Sequence, residues 1–245
     1  IDDALFGKVF HEAMEELYKG VGLLDQATGK LLKKKIEQTV DDAFASEYPG
    51  GENRFKGRNL LLRKVILEVV NQTLQLDLND SEQPLHIEKV EEKIKLPFTY
   101  KSGENPITLF GIIDRVDALK GRKRILDYKT GNVEKKDTSE MQYFFDDPKY
   151  KILFQTFFYG LLYSKTYPNT TIQLGIYPLK KISDGILFPK KENETNKSIY
   201  MHQTAMNALW TLVNDKSYNH KIMLDKSQKN WSNFISAIKW KDQTD

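Results

Sequence analysis

Two aspartates and one lysine stand near the middle of the chain in a segment that has the pattern of a β-hairpin. Gly121 and Arg122 separate two apolar runs, which is typical of two strands joined by a tight turn. With a two-residue turn at these positions, Asp114 lies opposite Lys129 on the neighbouring strand. Residues two apart share one face of a strand, so Asp127 lies on the face of Lys129. The sequence therefore predicts that the three side chains converge.

Two carboxylates beside an ammonium group are suited to metal-assisted hydrolysis of a phosphate ester. Carboxylate oxygens are the hard ligands that Mg²⁺ or Mn²⁺ prefers. A bound cation cancels the repulsion between the acids and lowers the pKa of a coordinated water. A neighbouring lysine can orient that water or stabilise charge on the attacked phosphate. The alternative is an exposed hairpin with ordinary surface charges, but Asp114 and Asp127 interrupt apolar runs that are typical of buried strands.

A histidine in the first helix is the fourth candidate. Apolar residues recur every three or four positions from Leu5 to Tyr18, which predicts an amphipathic helix. His11 lies nearly opposite the centre of the apolar stripe and is therefore not a core histidine, and Gly7 leaves space beside its ring. A neutral imidazole beside two carboxylates is a reasonable ligand set for Mn²⁺ or Mg²⁺. The alternative is a plain surface histidine.

The elements between this helix and the hairpin are predicted as two helices and a strand. The helices are expected from Gly29 to Tyr48 and from Asn53 to about Leu78, and the strand from Leu85 to Tyr100. Glu91 and Glu92 lie in that strand, and either is a candidate outer-sphere helper because the strand register is unclear. The second helix is expected to bury Leu60, Leu61, Val65, Ile66, Val69, Val70 and Leu74.

A helix rich in aromatic residues is predicted after the hairpin, from Tyr150 to Tyr167. Gln155 and Tyr159 are four apart and share a face of this helix. They could bind a phosphate or hold a nucleic-acid strand, whereas the alternative for Tyr159 is a core position. Gln155 is harder to explain as core, since a buried amide needs partners. A strand over Thr171 to Leu179 and its partner over Gly185 to Phe188 come next, followed by helices over His202 to Asn214 and Ser227 to Trp240.

Four sequence signals, in this order, resemble the RecB/AddB-like nuclease domain of the PD-(D/E)XK nucleases. They span most of the chain, from Gly7 to about Tyr167. The signals are His11 on an early helix, the segment Gly111-Ile112-Ile113-Asp114-Arg115-Val116-Asp117, the segment Asp127-Tyr128-Lys129-Thr130, and Gln155 with Tyr159. The D-x-K pattern alone has almost no specificity, but four signals in order and with this spacing are specific.

The resemblance implies the fold and the site. The fold is α/β, with a restriction-endonuclease-like core of a central mixed β-sheet flanked by helices and an N-terminal helical segment. One domain over 1–245 is expected, with 1–80 helical, 85–189 forming the sheet and catalytic core, and 200–245 forming C-terminal helices. Catalysis is assigned to Asp114, Asp127 and Lys129. Mg²⁺ or Mn²⁺ is assigned to His11, Asp114, Asp127 and the Tyr128 backbone carbonyl. Nucleic-acid binding is assigned to Arg115, Gln155 and Tyr159.

The function implied by the resemblance is metal-dependent hydrolysis of DNA, usually by the exonuclease part of a helicase–nuclease in recombinational repair. The sequence contains no P-loop or helicase motif, so a helicase partner would be a separate subunit or another part of a longer chain. The abrupt start of the chain at the edge of a helix pattern is what a fragment would show. The alternatives are a non-catalytic DNA-binding module that kept the fold, and cleavage of RNA.

Composition limits the chemistry further. There are 37 basic and 34 acidic residues, and this net charge of +3 does not by itself demand a nucleic-acid partner. The absence of cysteine excludes disulfides, thiolate-bound zinc and the iron–sulfur cluster that some RecB/AddB-like nucleases carry. No apolar run approaches the roughly 20 residues that span a bilayer and no signal peptide is visible, so a cytoplasmic protein is expected. Phosphates could be attracted by Lys120, Arg122, Lys123, Arg124, Lys129, Lys135 and Lys136, although a solvated turn is the alternative.

Overall fold

The computed structural model describes residues 3–49, 51, 54–79, 84–98, 107–133 and 150–188 of the chain. These residues form a five-stranded mixed sheet with flanking helices, which confirms the predicted α/β fold. The strands lie in the order β1-β2-β3-β4-β5. In chain order the elements are α1 (Asp3–Tyr18), β1 (Leu23–Leu24), α2 (Gln26–Glu47), α3 (Arg58–Asn79), β2 (Leu85–Phe98), β3 (Ile107–Leu119), β4 (Arg122–Lys129), α4 (Lys151–Thr166), β5 (Ile172–Pro178) and a 3₁₀ segment (Leu179–Asp184).

The chain divides into two compact units that alternate along the sequence. The first consists of Ile1–Glu91, Asp114–Glu134 and Gly175–Leu187, and the second of Glu92–Ile113, Lys135–Leu174 and Phe188–Asp245. The first unit thus contains α1, α2, α3 and β4, and the second contains α4. The two closing helices predicted from His202 onward lie outside the described residues. Of the helices that are described, none combines the length and apolar character of a membrane-spanning segment.

Three helices build the core of the first unit. α1 packs against α2 and α3, and α2 packs against α3. The start of α2 is set by Asp25, whose side chain accepts a hydrogen bond of 2.7 Å from the backbone N–H of Thr28, as an N-cap does. The apolar stripe predicted for α1 is confirmed, and the helix buries Phe6, Val9, Phe10, Ala13, Met14, Leu17 and Tyr18.

The face that α3 buries differs from the predicted stripe. Leu60, Leu61 and Val65 were expected in the core, but they are 39%, 60% and 38% exposed. Apolar residues nearly encircle the first half of this helix, so periodicity alone does not select one face. Packing against α1 and α2 makes the selection, and the buried residues are Leu62, Ile66, Val69, Val70, Thr73, Leu74, Asp77 and Leu78.

The turn of the central hairpin lies one position earlier than predicted. Leu119 pairs with Arg122, so the two-residue loop is Lys120–Gly121 instead of Gly121–Arg122. Both loop residues have positive φ, 52° at Lys120 and 73° at Gly121. A type I′ turn requires positive φ at both central positions, and its twist matches that of the flanking strands. Glycine at the second position therefore selects this turn.

The earlier turn changes the register, so the predicted pairing of Asp114 with Lys129 is wrong. Arg115 pairs with Leu126, and continuing this register by one position brings Asp114 to Asp127. Side chains alternate with a period of two along a strand, so a partner shift of two residues leaves each side chain on its face. The convergence of Asp114, Asp127 and Lys129 is therefore compatible with the observed register.

In the second unit, Gly111 marks a close approach between β3 and α4. A Cβ atom at Gly111 would lie 2.6 Å from Leu162 Cδ1 and 3.1 Å from Tyr159 Cε1. Both neighbours are buried, which leaves them little room to move. We expect Gly111→Ala to destabilise the protein by about 1–3 kcal/mol through overpacking, measured by thermal or urea unfolding. Gly131→Ala is the matched control because no atom lies within 4 Å of its added Cβ; equal stabilities of the two variants would contradict this packing.

Candidate metal centre

Three elements of the first unit bring an imidazole and two carboxylates together. His11 comes from α1, Glu91 from β2 and Asp114 from β3. The Nδ1 atom of His11 lies 3.4 Å from Glu91 Oε1 and 3.5 Å from Asp114 Oδ1. One ligand atom from each of the three residues lies within 4.8 Å of those of the other two. His11 and Asp114 were predicted to meet, and the structure places them together.

Asp114 also connects the two central strands. Its Oδ2 atom accepts a hydrogen bond of 2.6 Å from the backbone N–H of Tyr128. The other oxygen faces His11, so one carboxylate fixes the backbone of β4 and contributes to the cluster. The backbone of Tyr128, the residue whose carbonyl is a predicted ligand, is thus fixed to Asp114 through its N–H.

Asp127 and Lys129 form a close ion pair on β4. Lys129 Nζ lies 2.6 Å from Asp127 Oδ2, and the Asp127 side chain is 3% exposed. Burying a carboxylate is costly even when an ammonium pairs with it, and a cation would add to the compensation of its charge.

The pKa values of these side chains reflect their burial together with the charged groups beside them. Burial raises the pKa of Asp127 to about 6, with Asp114 adding to the effect and Lys129 opposing it. Burial likewise raises the pKa of Asp114. For His11, burial alone would lower the pKa, but the carboxylates of Asp114 and Glu91 outweigh it and raise the value to about 9. Without a cation, the cluster is therefore neutralised partly by a proton on His11.

These donors fit a divalent cation that prefers oxygen and nitrogen ligands. The cluster offers carboxylate oxygens and one imidazole nitrogen, a set suited to Mg²⁺ and still better to Mn²⁺. Burial raises the pKa of both Asp114 and Asp127, so a cation beside them would favour their charged forms. Among the described residues, the group whose ligand atoms come together is His11, Glu91 and Asp114, and Asp127 and the carbonyl of Tyr128 stay predicted ligands.

Metal affinity is expected to rise with pH because His11 must lose its proton to act as a ligand. With its pKa near 9 in the free protein, each pH unit between about 6.5 and 8.5 should increase the affinity for Mn²⁺ about tenfold. Calorimetry in buffers of different ionisation enthalpy should show one proton released per ion at neutral pH. His11→Gln should bind more weakly and lose this proton release. An affinity that is equal at both ends of the pH range would contradict the assignment.

Glu91 is a closer participant than the sequence indicated. It was a candidate outer-sphere helper, but its carboxylate oxygen lies within the His11–Asp114 cluster. Glu92 instead accepts a hydrogen bond of 2.9 Å from the hydroxyl of Tyr167, in the second unit. Glu91 has a left-handed backbone, with φ of 46°, a conformation that costs a non-glycine residue about 1–3 kcal/mol.

The sequence contained a signal for this irregularity. Buried positions in β2 have odd numbers before Glu91, such as Ile87, and even numbers after it, such as Ile94. A regular strand keeps one parity on each face, so a change of parity indicates one extra residue, as in a β-bulge. Bulges often redirect a side chain near an active site.

The prediction that Arg115 contacts nucleic acid is wrong for this structure. The Arg115 side chain is fully buried, and both of its terminal nitrogens bond to Asp77, at 2.7 and 2.9 Å. Its Nε atom lies 2.9 Å from Asp117 Oδ2. A guanidinium that is enclosed by two carboxylates cannot reach a phosphate in solution. The sequence could not show this, because the counter-ion Asp77 comes from a distant helix.

Gln155 and Tyr159 lie together in the second unit. Gln155 Nε2 donates a hydrogen bond of 2.6 Å to the Tyr159 hydroxyl, and this bond links successive turns of α4. Tyr159 is buried and Gln155 is half-buried, so the half-buried amide has the polar partner that its position requires. Their role toward a nucleic acid stays a prediction.

The basic cluster predicted around the turn is only partly exposed. Lys120 and Arg122 are exposed, but Arg124 is buried and bonds to Asp117 at 2.6 Å. Lys123 pairs with Glu88 at 2.7 Å. Lys135 and Lys136 lie outside the described residues. Arg124 is therefore part of the interior and does not belong to a phosphate-attracting surface.

Comparison with known protein families gives a match over most of the chain. The family model of the PD-(D/E)XK nuclease superfamily matches residues 1–227 of the chain. No curated protein and no solved structure matches the chain significantly.

Proposed function

Because the chain belongs to the PD-(D/E)XK nuclease superfamily, we propose that it is a divalent-metal-dependent nuclease that hydrolyses the phosphodiester bonds of DNA. The observation that carries this proposal is the meeting of His11, Glu91 and Asp114 within 4.8 Å. Beside them, Lys129 is paired with a buried acid, Asp127. Such a group would make a cation site with an amine next to it, an arrangement suited to metal-assisted phosphoryl chemistry.

We propose Mg²⁺ or Mn²⁺ as the cation, with the ligands His11, Glu91, Asp114, Asp127 and the carbonyl of Tyr128. When bound, the cation supplies positive charge for the attacked phosphate and lowers the pKa of water. Asp114 acts at two points, since one oxygen faces His11 and the other fixes the peptide of Tyr128. The protein thus presents a preorganised set of donors at low cost in reorganisation.

Lys129 is the proposed catalytic group that acts on the water and the phosphate. Its Nζ atom is anchored by Asp127 at 2.6 Å, and its side chain is only 18% exposed. An ammonium held in this position can donate hydrogen bonds to the attacking water and to a phosphate oxygen, which stabilises the charge that develops.

Gln155 and Tyr159 are proposed to hold the nucleic-acid strand. This assignment is supported by the motif spacing and by the hydrogen bond that orients the two side chains on α4. The exposed Lys120 and Arg122 would add a salt-dependent attraction for phosphates.

The finer assignment is to the RecB/AddB-like branch, as the exonuclease domain of a helicase–nuclease in recombinational DNA repair. It is supported by the order and spacing of the four sequence signals. Because the sequence contains no helicase motif, the proposal includes a helicase partner, either as a separate subunit or as another part of a longer chain. A cytoplasmic location and a single nuclease domain over residues 1–245 complete the proposal.

A cleavage assay tests the activity and the substrate together. The purified chain would be incubated with labelled linear and circular DNA, single- and double-stranded, and with RNA, in Mg²⁺, Mn²⁺ or EDTA. We expect degradation of linear single-stranded DNA that requires the metal, with circular DNA resistant if the enzyme needs an end. Asp127→Asn, purified in parallel, controls for contaminating nuclease. Binding of DNA without cleavage in any metal would favour the non-catalytic alternative.

A further inference from the structure

The first unit contains a second cluster of buried charge, centred on Asp77 of α3. Asp77 is 1% exposed, and both of its oxygens accept hydrogen bonds from the guanidinium of Arg115, at 2.7 and 2.9 Å. The hydroxyl of Tyr18 donates to it at 2.5 Å, and the hydroxyl of Tyr177 also donates to it. One carboxylate therefore binds side chains from α1, β3 and β5.

Stability alone does not explain such a cluster. A buried ion pair often contributes no more than apolar residues of the same volume would, because both charges lose their water. The Asp77 cluster does impose one arrangement on the elements it joins, because breaking one of its bonds leaves a buried charge without a partner in apolar surroundings. The cluster therefore matters for the functional groups that the joined elements carry.

The cluster reaches the metal residues through Tyr128. Arg115 donates a hydrogen bond of 3.1 Å to the Tyr128 hydroxyl. The Tyr128 ring packs edge-on against the imidazole of His11, with centroids 5.9 Å apart and planes at 80°. The backbone N–H of Tyr128 bonds to Asp114. Tyr128 therefore contacts both His11 and Asp114 and is itself held by the guanidinium that Asp77 binds.

A second link runs along α1. Tyr18 follows His11 by seven residues, which is about two turns of an α-helix, so both residues lie close to one line along the helix. The bond from Tyr18 to Asp77 thus fixes the helix that carries the imidazole, while the bonds from Arg115 fix the strand that carries Asp114. The helix and the hairpin that must meet at the cation are both bonded to one carboxylate.

We propose that Asp77 is a positioning residue of the metal centre, acting through Arg115 and the phenol of Tyr128 on His11 and Asp114. The inference rests on the proposed function, because it requires that this centre binds a divalent cation. Removing a group that hydrogen-bonds to or orients a metal ligand typically lowers metal affinity about 10–100-fold. The expected effect is therefore on the affinity for the cation, beyond any effect on folding.

The test compares two tyrosines that each lose one buried hydroxyl. Tyr128→Phe removes the link from Arg115 to the ring that packs on His11. Tyr177→Phe is the matched control, because the hydroxyl of Tyr177 bonds to the same Asp77 and Arg115. The ring of Tyr177 packs on Tyr128, and among the described residues it makes no ring contact with His11. Mn²⁺ binding would be measured by calorimetry and by the loss of free-ion EPR signal, with unfolding followed by circular dichroism.

We expect Tyr128→Phe to weaken Mn²⁺ binding about tenfold, while Tyr177→Phe changes it less than twofold with a comparable loss of thermal stability. Asp77→Asn should weaken binding at least as much as Tyr128→Phe. If Asp77 acts through Tyr128, the effects of Asp77→Asn and Tyr128→Phe should not add. The variant with both changes should then bind Mn²⁺ no more weakly than the single variant with the lower affinity. Asp77→Asn leaves Arg115 undercompensated and can fail to fold, so the comparison of the two tyrosine variants carries the test.

Three results would overturn the inference. Tyr128→Phe with wild-type affinity, or with the same loss as Tyr177→Phe, would show that the cluster is structural only. Wild-type protein that binds no Mn²⁺ would overturn the proposed function and this inference with it. Wild-type binding that Tyr128→Phe leaves unchanged would overturn the positioning role alone.

Discussion

Asp127→Ala is expected to abolish metal-dependent cleavage of DNA. The carboxylate of Asp127 is buried, that burial raises its pKa to about 6, and the carboxylate pairs with the ammonium of Lys129. Its removal takes away a proposed metal ligand and the anchor of Lys129. Stabilisation by a metal is worth several kcal/mol, so the rate should fall at least about 10³-fold. The measurement is single-turnover cleavage of labelled single-stranded DNA at saturating Mn²⁺.

The chain offers a matched acid for comparison. Glu88 pairs with Lys123 at 2.7 Å, nearly the 2.6 Å of the Asp127–Lys129 pair, but the Glu88 side chain is 32% exposed. Glu88→Ala removes a carboxylate from an acid–lysine pair outside the cation cluster, and it should leave the rate within about twofold because exposed pairs contribute little. Cleavage by Asp127→Ala at the wild-type rate would remove Asp127 from the catalytic centre.

Lys129→Met should reduce the rate and leave the cation in place. Loss of one donor to the developing charge of the transition state typically costs about 10²–10³-fold in kcat. The ammonium lies 2.6 Å from a proposed ligand oxygen and repels a cation, so the variant should bind Mn²⁺ as tightly as the wild type or more tightly. This separation of rate from affinity distinguishes a catalytic lysine from one that only balances the charge of Asp127.

Lys123→Met is the corresponding control for the lysine. It removes a lysine that is also paired with an acid and lies on the same strand, with 27% side-chain exposure. We expect unchanged kcat, with at most a salt-dependent change in KM. If Lys129→Met retained more than about half of the wild-type kcat, the proposed role of the lysine would fail, whereas a loss of Mn²⁺ binding would make Lys129 a structural part of the cation site.

The amphipathic elements could be predicted from the chain because each is defined by local periodicity. The apolar stripe of α1 and the strands of the hairpin follow from residues within one element. The predicted turn is one residue late, but the predicted site is unaffected because the side chains of a strand return to the same face every two residues. The core face of α3 was assigned wrongly, since Leu60, Leu61 and Val65 are apolar but exposed.

The part that the sequence determined by itself is the chemical inventory: an imidazole on one amphipathic helix, and two acids and an amine on one hairpin. Tertiary structure decided which other residues join or leave this group. It brought into the cluster Glu91, whose own backbone is left-handed within β2. It also paired Arg115 with Asp77, which is 38 positions away in the chain. Charge partners are chosen by packing across distant elements, where local periodicity carries no information, because the cost of burying a charge depends on what lies beside it in space.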